Sequence, residues 1–193
     1  MVMTLLSIYI SLFPYQSPKE LYQSASAYVM SYYETQNMQN IEIVNYKRPN
    51  YNITLNTLYQ DYTWERCIEN NIPYELFLAM MYHESKFDEK CIGVNDNGTE
   101  DIGFTQINTI NFKEVSKILG IEISEISDPY INIDAGIYLF GKLLEKYQDE
   151  TVALIAYNAG ETGMKRIMKN HDSTAYSRLI LEYKKTLLEN GGF

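Results

Sequence analysis

IPYELFLAMMYHESKFDEKCIGVNDNGTEDIGFTQ, residues 72–106, joins an apolar segment to a polar loop that contains glycine and asparagine. Pro73 suits the first position of a helix, and Glu75 lies in the first turn, where the helix dipole favours an anion. Apolar residues then recur with the spacing of one buried helix face, at Leu76, Phe77, Met80 and Met81. The pattern predicts a helix that ends near Ser85 and packs against the rest of the chain along that face.

Glu84 is the titratable residue on the apolar face of this helix. It follows Phe77 by seven residues, Met80 by four and Met81 by three, so its side chain points the way that face points. Partial burial and a position near the helix C-terminus both disfavour a negative charge, and both raise the pKa of a carboxyl group. A raised pKa suits a general acid that works near neutral pH. The alternative is a boundary glutamate whose carboxylate reaches solvent.

Three motifs follow one another along the chain. They are Glu84-Ser85 at the predicted helix end, then Gly103-Phe104-Thr105-Gln106-Ile107-Asn108, and then Ala156-Tyr157-Asn158-Ala159-Gly160. In this order and spacing they resemble the transglycosylase domain of soluble-type lytic transglycosylases, which has the goose-type lysozyme scaffold. The resemblance covers roughly residues 60–185. It is closest to the small versions found in phages, conjugative elements and Gram-positive cell envelopes.

The resemblance implies a mainly α-helical, α+β lysozyme-like domain, with the catalytic glutamate at a helix end and a loop or small sheet beside the cleft. The apolar pattern also predicts helices, over residues 58–70, 111–119, 152–158 and 174–189. A further helix is expected to begin at Asp134, after a break at Ser127-Asp128-Pro129. Gly160 and Gly163 are expected to bracket a turn.

Composition divides the chain into three parts. Residues 1–13 are apolar and uncharged but shorter than the ~20 residues that span a bilayer, and we interpret them as the remnant of a signal or membrane anchor. The alternative is an apolar strand or helix packed on the domain. Residues 14–56 are rich in Ser, Gln, Asn and Tyr, which predicts a polar stalk or an extended segment on the domain. Residues 57–193 are the predicted lytic transglycosylase domain.

Charge and cysteine content exclude several kinds of partner. A chain of 193 residues that is 46% hydrophobic can bury one core of ordinary size. Its net charge of −9 argues against nucleic acid and against an anionic membrane surface as partner, so we expect membrane contact only through the N-terminal segment. Two Cys and two His have no metal-ligand spacing, and we expect no metal and no other cofactor. Cys67 and Cys91 either form one disulfide or are two free thiols.

The resemblance implies cleavage of the bond between N-acetylmuramic acid and N-acetylglucosamine in peptidoglycan. A lytic transglycosylase uses the C6 hydroxyl of the sugar as acceptor and leaves a 1,6-anhydromuramic end, so Glu84 alone suffices as acid and then as base. A goose-type muramidase hydrolyses the same bond, normally with a second carboxylate, for which Asp96, Glu100 and Asp101 lie in the right loop. A third alternative is a catalytically silent glycan-binding component of a secretion or phage apparatus, against which the intact Glu84 argues.

Other site residues are carried over from the family motifs one at a time. Tyr157 matches the catalytic-site tyrosine whose hydroxyl is hydrogen-bonded to the glutamate; the alternative is a buried core tyrosine. Gln106 and Asn158 match polar residues that line the sugar cleft. Gly103 is expected to allow either close approach of the backbone to a sugar or a tight turn. The further expected substrate contacts are Ser85, Phe104, Asn108 and Tyr176.

The implied substrate places the protein outside the cytoplasm. We expect it in the cell envelope, exported or anchored in the membrane through its N-terminus, with peptidoglycan glycan strands as its partner. The resemblance leaves open whether the wider setting is a secretion, conjugation or phage assembly, or housekeeping of the cell wall. The family often has Leu-Met where this chain has Phe104-Thr105, which leaves the detail of the sugar subsites open as well.

Overall fold

The computed structural model describes residues 48–190, so the predictions for residues 1–13 and 14–47 lie outside the described residues. Residues from Pro49 onward form one compact unit. Tyr51 and Leu55 are buried in that unit, and the Tyr51 hydroxyl donates to the Glu75 carboxylate at 2.5 Å. Residues 49–56 of the predicted stalk or extended segment therefore pack on the domain.

Helices make up most of residues 48–190. In chain order they are α1 (Thr57–Glu69), α2 (Tyr74–Ser85), α3 (Phe112–Leu119), α4 (Pro129–Tyr147), α5 (Glu150–Ile167) and α6 (Ala175–Asn190). Short 3-10 turns cover Thr109–Asn111 and Ile123–Ser127. Three strands lie between α2 and α3, namely β1 (Ile92–Val94), β2 (Glu100–Ile102) and β3 (Ile107–Asn108). The prediction of a mainly helical domain with a small sheet after the Glu84 helix is confirmed.

The central helix of the domain is α2. Every side chain from Leu76 to Met81 is fully buried, and not only those on the face that the spacing predicted. The reason is that α1 and α6 both pack along α2, while Phe140 of α4 approaches Phe77 with ring centroids 6.4 Å apart. Complete burial of an apolar side chain contributes about 1.5–3 kcal/mol, so this helix is held firmly on several sides. Glu84 therefore extends from a rigid support.

The strands form an antiparallel sheet in the order β1–β2–β3. Gly93 of β1 pairs with Asp101 of β2, and Asp101 pairs in turn with Asn108 of β3. Directly paired residues project from the same face of a sheet, so these three positions share one face. A Cβ atom at Gly93 would lie 3.1 Å from Oε1 of Gln106, which means that the Gln106 side chain lies against this face.

The predicted start of α4 at Asp134 is wrong, because the helix begins at Pro129. Asp128 is the N-cap, and its side chain accepts hydrogen bonds from the backbone of Tyr130 and Ile131 at 2.9 and 3.2 Å. Proline is favoured at the first helical position, where no backbone N–H is needed, so Asp128-Pro129 starts this helix instead of breaking the chain. Asp134 lies inside α4 and faces α1.

The last two helices also differ in detail from the prediction. α5 begins after Asp149, whose side chain caps the Val152 backbone at 2.8 Å, and it continues to Ile167. The turn expected at Gly160 is a break within this helix, where Gly160 has φ 68° and ψ 163°. That combination suits glycine and few other residues. Gly160 is the last residue of the Ala156–Gly160 motif, so the helix breaks where the motif ends.

Both cysteines are free thiols, so the disulfide that the sequence left open is not formed. Cys67 is buried in α1, whereas Cys91 is partly exposed in the loop before β1. Among the helices of residues 48–190, none has both the length and the apolar character that a bilayer-spanning segment requires.

Candidate active site

Glu84 lies in the last turn of α2 and lines a cleft of about 530 Å³. The cleft runs between the sheet, α4 and α5, and its polar wall includes Asn95, Asp101, Gln106, Asn108, Tyr157 and Asn158. α2 ends at Lys86, which adopts the left-handed conformation with φ 55°. The negative end of the helix dipole therefore lies beside the Glu84 carboxyl group and disfavours its ionised form.

A hydrogen bond from a distant part of the chain holds the Glu84 carboxyl group. Tyr176, in the first turn of α6, donates its hydroxyl proton to Oε1 at 2.5 Å. Burial raises the pKa of Glu84 to about 7, while the Tyr176 hydrogen bond lowers it and the charge of Asp101 raises it further. Near neutral pH, Glu84 is thus present in both the protonated and the ionised form. A group that acts first as acid and then as base requires both.

Tyr157 does not make the hydrogen bond to Glu84 that the family motif led us to expect. Its hydroxyl donates to the backbone carbonyl of Thr105 at 2.7 Å, and its ring meets Phe140 edge-on with centroids 5.8 Å apart. A tyrosine hydroxyl has one proton, so none is left for the Glu84 carboxylate. Burial, together with the nearby charge of Glu84, raises the pKa of Tyr157 well above its ordinary value. The role expected of Tyr157 is filled by Tyr176.

Packing of α6 on α2 positions Tyr176. Tyr183 of α6 stacks on Tyr82 of α2 with ring centroids 4.4 Å apart, and the Tyr176 ring meets His83 edge-on at 4.8 Å. Sequence reasoning gave Tyr176 only a sugar contact. Because Tyr176 and Glu84 are 92 positions apart, no local pattern could indicate their hydrogen bond.

Two residues expected to contact substrate lie inside the domain instead. Phe104 is 1% exposed, and its ring packs edge-on against Tyr59 with centroids 5.0 Å apart. Ser85 is buried as well, and its hydroxyl lies 2.9 Å from the Phe104 carbonyl oxygen and 3.1 Å from that of Met81. The expected substrate contacts of Ser85 and Phe104 are therefore wrong. Both residues join the end of α2 to the turn before β3.

Gly103 and Gln106 form the ends of that turn. Gly103 has φ 78°, and an added Cβ atom would lie 2.6 Å from the Asn132 side chain, so the glycine serves a tight turn against α4. The carboxamide of Gln106 donates to the carbonyl oxygens of Gly103 and Cys91 at 2.9 and 3.1 Å. Gln106 also lines the cleft, where its contact with a sugar stays a prediction.

Asp101 and Asn108, on the cleft face of the sheet, hold each other in place. Nδ2 of Asn108 donates to one carboxylate oxygen of Asp101 at 2.7 Å, and Nδ2 of Asn95 donates to the other at 2.9 Å. Both oxygens thus accept an amide proton, which fixes the orientation of the carboxylate. Asn158 is exposed on the opposite wall. Substrate contacts of Asn108 and Asn158 likewise remain predictions.

Of the three acids that the sequence offered as a second carboxylate, Asp101 is the one that lines the cleft. Asp96 and Glu100 are exposed. Neighbouring residues of a strand project to opposite faces, so Glu100 faces away from the side that bears Asp101.

Three charged residues on the far wall of the cleft were missed by sequence reasoning. They are Glu114 of α3, Lys142 of α4 and Glu161 of α5. The Lys142 ammonium group donates to Glu114 at 2.7 Å, and this hydrogen bond holds the pKa of Glu114 below its usual value. They belong to three different helices, and no local spacing in the sequence indicates that these side chains meet at one cleft.

A mostly helical domain with a small sheet, and a buried glutamate at a helix end above a polar cleft, is the lysozyme-like arrangement. A family model described as "Transglycosylase SLT domain" matches residues 61–180, and the chain belongs to this family. It is 32% identical over 104 residues to Protein IpgF of Shigella flexneri, a match that covers 53% of this chain and 68% of IpgF. It is 28% identical over 137 residues to Invasion protein IagB of Salmonella typhi, covering 71% of this chain and 83% of IagB.

Solved structures share the fold. The 70 kDa soluble lytic transglycosylase SLT70 of Escherichia coli has a TM-score of 0.56 and 19% identity, over 65% of this chain and 23% of SLT70. An inactive Glu→Gln variant of the lytic transglycosylase Slt of Pseudomonas aeruginosa has a TM-score of 0.57 and 15% identity, over 100% of this chain and 31% of Slt. The chain thus spans less than a third of the length of these two proteins, and the likeness extends to the fold alone.

Proposed function

We propose that the protein is a peptidoglycan lytic transglycosylase that cleaves the MurNAc-β-1,4-GlcNAc bond and leaves 1,6-anhydro-MurNAc ends. The observation that carries the proposal is Glu84, a carboxyl group with a pKa of about 7 that lines a polar cleft and accepts a hydrogen bond from Tyr176. Membership of the transglycosylase SLT domain family supports it.

In the first step, protonated Glu84 donates its proton to the glycosidic oxygen. The bond between C1 of MurNAc and that oxygen breaks, and GlcNAc leaves with a free 4-hydroxyl group. Positive charge develops on the MurNAc ring while Glu84 becomes a carboxylate. The Tyr176 hydroxyl then stabilises the new carboxylate, because a hydrogen bond to a charged oxygen is stronger than one to a neutral acid.

In the second step, the Glu84 carboxylate accepts the proton of the C6 hydroxyl of the same MurNAc residue. O6 forms a bond to C1, which closes the 1,6-anhydro ring, and Glu84 returns to its protonated form. No water is consumed, so a second carboxylate that activates water is not required.

The test is a digestion of purified sacculi, followed by separation of the muropeptides by mass. An anhydro product is one water lighter than the corresponding reducing muropeptide. We expect anhydro products with the wild-type chain and none with Glu84→Gln. Sacculi that are bound but not cleaved would contradict the proposal and favour a catalytically silent glycan-binding protein.

Hydrolysis by a muramidase mechanism is the second candidate, and the position of Asp101 favours it. Asp101 lines the same cleft, and its charge contributes to the raised pKa of Glu84. Its two oxygens already accept amide protons from Asn95 and Asn108, which suits a fixed electrostatic role. Reducing ends in the digestion, lost in Asp101→Asn, would establish hydrolysis in place of transglycosylation.

The proposed substrate puts the site of action outside the cytoplasm, in the cell envelope. Cleavage there opens a gap in the wall, and a secretion, conjugation or phage assembly that crosses the envelope needs such a gap. The relative IagB is named an invasion protein, and this name supports a setting in invasion for this chain. Fractionation of cells that produce the full chain would test the location, since a cytoplasmic pool alone would contradict it.

A further inference from the structure

Asn132, in the first turn of α4, is fully buried and contacts the turn before β3. Its Oδ1 accepts a hydrogen bond from the backbone N–H of Thr105 at 2.9 Å and lies 2.9 Å from the Thr105 hydroxyl oxygen. Its Nδ2 donates to the carbonyl oxygens of Ile102 and Ile126 at 2.8 and 3.2 Å. The carboxamide therefore uses both N–H groups and its oxygen, and it ties the turn to α4.

Two glycines allow the turn and α4 to lie unusually close together. A Cβ atom at Gly103 would lie 2.6 Å from the Asn132 side chain, and one at Gly136 would lie 2.5 Å from Cγ2 of Thr105. Carbon atoms in favourable contact are about 3.5–4.0 Å apart, so neither glycine can be replaced unless the turn or the contacting side chain moves. The position of the Thr105 backbone is thus set by Asn132 on one side and by Gly136 on the other.

The Thr105 carbonyl is the acceptor for the Tyr157 hydroxyl, at 2.7 Å. Movement of the turn would remove this acceptor and free the hydroxyl proton of Tyr157. Glu84 lines the same cleft as Tyr157, so its carboxylate is the alternative acceptor for this proton. In the structure, the hydrogen bond from Thr105 to Asn132 holds the Thr105 carbonyl where it accepts the hydrogen bond of the Tyr157 hydroxyl.

We infer that Asn132 is a positioning residue that holds Thr105 in place, so that Tyr157 donates to the Thr105 carbonyl and not to Glu84. Tyr176 is then the one tyrosine within residues 48–190 that donates to the Glu84 carboxyl group. The inference deepens the proposed function, on which its meaning for catalysis rests.

A second hydrogen bond to the carboxylate would make Glu84 a stronger acid. Hydrogen bonds to charged groups contribute enough to lower the pKa of Glu84 by roughly one unit, which would leave most of it ionised at neutral pH. The titratable groups around Glu84 in the described chain are Asp101 of β2, Tyr157 of α5, Tyr176 of α6 and Cys91 of the loop after α2. Of these, Tyr157 is the one whose hydrogen-bond partner depends on Asn132.

The experiment is an NMR titration of the Glu84 carboxyl carbon in full-length protein, which does not depend on activity. In Asn132→Ala we expect the pKa of Glu84 to fall by roughly one unit, and the Tyr157→Phe change added to this variant to reverse the fall. The control is Gln60→Ala, which removes another buried carboxamide, hydrogen-bonded to the Leu55 carbonyl at 2.8 Å, far from the turn. It should leave the pKa of Glu84 where it is.

Tyr157→Phe alone and Gly136→Ala keep the inference testable if Asn132→Ala does not fold. Tyr157→Phe in the wild-type background should leave the pKa of Glu84 unchanged, because Tyr157 donates elsewhere. Gly136→Ala displaces Thr105 from the other side and should lower the pKa as Asn132→Ala does. A folded Asn132→Ala with an unchanged pKa, or a rise of the pKa in Tyr157→Phe, would overturn the inference.

Rates of anhydro-product release separate this inference from the proposed function. We expect kcat in Asn132→Ala to fall roughly fivefold at neutral pH, because a pKa one unit below about 7 lowers the protonated fraction of Glu84 from about a half to about a tenth. KM should change much less, and the alkaline limb of the kcat profile should move to lower pH. If wild-type chain releases no anhydro product while the titration behaves as described, the proposed function fails and the positioning role stands. If Glu84→Gln abolishes release but Asn132→Ala keeps the wild-type profile, the positioning role fails alone.

Discussion

Glu84 and Asp134 are two partly buried carboxyl groups of one domain, and they have opposite surroundings. Each accepts a hydrogen bond from a tyrosine hydroxyl, Glu84 from Tyr176 at 2.5 Å and Asp134 from Tyr62 at 2.8 Å. Burial raises the pKa of both. Asp134 also accepts a hydrogen bond from the Arg66 guanidinium at 2.7 Å, whereas no cation pairs with Glu84 in the described chain.

The difference separates a structural acid, Asp134, from the proposed catalytic acid, Glu84. Asp134 and Arg66 join α4 to α1, and the opposite charge of the arginine offsets part of the desolvation of the carboxylate. Glu84 lines a cleft and lacks such compensation, so it can gain and lose a proton at neutral pH. Burial alone therefore does not mark a catalytic carboxyl group; burial without a cation, beside a cleft, does.

The largest expected difference between substitution of Glu84 and substitution of Asp134 is in the rate of cleavage. Glu84→Gln should lower the release of anhydro products by about 10²- to 10⁴-fold, the usual contribution of a general acid. Asp134→Asn should cleave close to the wild-type rate at a temperature at which it is folded, because Asp134 faces away from the cleft. The measurement is initial-rate kinetics on glycan strands. A comparable loss in both variants would remove the distinction.

For stability we expect the opposite: substitution of Asp134 should lower the free energy of unfolding more than substitution of Glu84. Asp134→Ala removes the ion pair between α1 and α4 and leaves Arg66 paired only with Glu69 of its own helix. We expect a loss of about 2 kcal/mol in the free energy of unfolding, below the usual figure for a broken buried pair because Arg66 is partly exposed and keeps one partner. Urea denaturation measures this loss. A change below about 1 kcal/mol would place the Asp134–Arg66 pair among ordinary surface ion pairs.

The raised pKa of Glu84 should also make the stability of the protein depend on pH. Its pKa is about 7 in the folded chain and 4.5 in the reference state, so its contribution to stability is fully present below pH 4.5 and is lost as the pH rises through about 7. Glu84→Gln cannot ionise and so does not lose this contribution. Relative to wild type, we expect its free energy of unfolding to increase by about 2 kcal/mol between pH 4.5 and pH 8. This figure is smaller than the full pKa difference implies, because Glu84 is partly exposed to the cleft.

Thermal unfolding at the two pH values would measure this gain. Glu182→Gln, at an exposed position on α6, makes the same chemical change away from the cleft and serves as the control. A gain of the same size in both variants would show that overall charge, and not the surroundings of Glu84, is responsible.

Substitution of the tyrosines that donate to the two acids, Tyr176 and Tyr62, should have the smallest effect, a shift in the pH dependence of activity. Tyr176→Phe removes a hydrogen bond that favours the ionised form of Glu84, so the pKa of Glu84 should rise above about 7 and the alkaline limb of the activity profile should move to higher pH by roughly one unit. Tyr62→Phe, its counterpart at Asp134, should lower stability and leave the limb in place. A fixed limb in Tyr176→Phe would mean that this hydroxyl does not bind Glu84 in solution.

Local sequence patterns predicted the helix that carries Glu84, because apolar spacing acts over short distances, and the family resemblance implied the loop or small sheet beside the cleft. They failed where contacts link distant parts of the chain. Phe104 was placed at the substrate although it is buried against α1, and the Arg66–Asp134 pair left no trace in the pattern. Asp134 was instead read as a helix start, because Pro129 was taken for a break.

Within the candidate site, the sequence motifs also predicted some residues correctly and others not. The motifs predicted that Glu84, Gln106 and Asn158 line one cleft, but they assigned to Tyr157 the hydrogen bond to Glu84 that Tyr176 makes. Which tyrosine reaches the carboxyl group depends on how α6 packs on α2 and on where Asn132 holds Thr105. Neither is encoded by the spacing of residues within a motif.

The packing of α6 on α2 has a consequence for biosynthesis. A ribosome releases α2, with its glutamate, about a hundred residues before α6 can dock, and Tyr176 arrives with that last helix. A nascent or truncated chain that stops before α6 contains Glu84 but lacks the Tyr176 hydroxyl that stabilises its ionised form. In such a chain, the side of α2 that α6 covers is exposed to water. The proposed catalytic centre is therefore complete only when α6 docks, and proteolytic loss of α6 would remove the hydrogen bond from Tyr176 to Glu84.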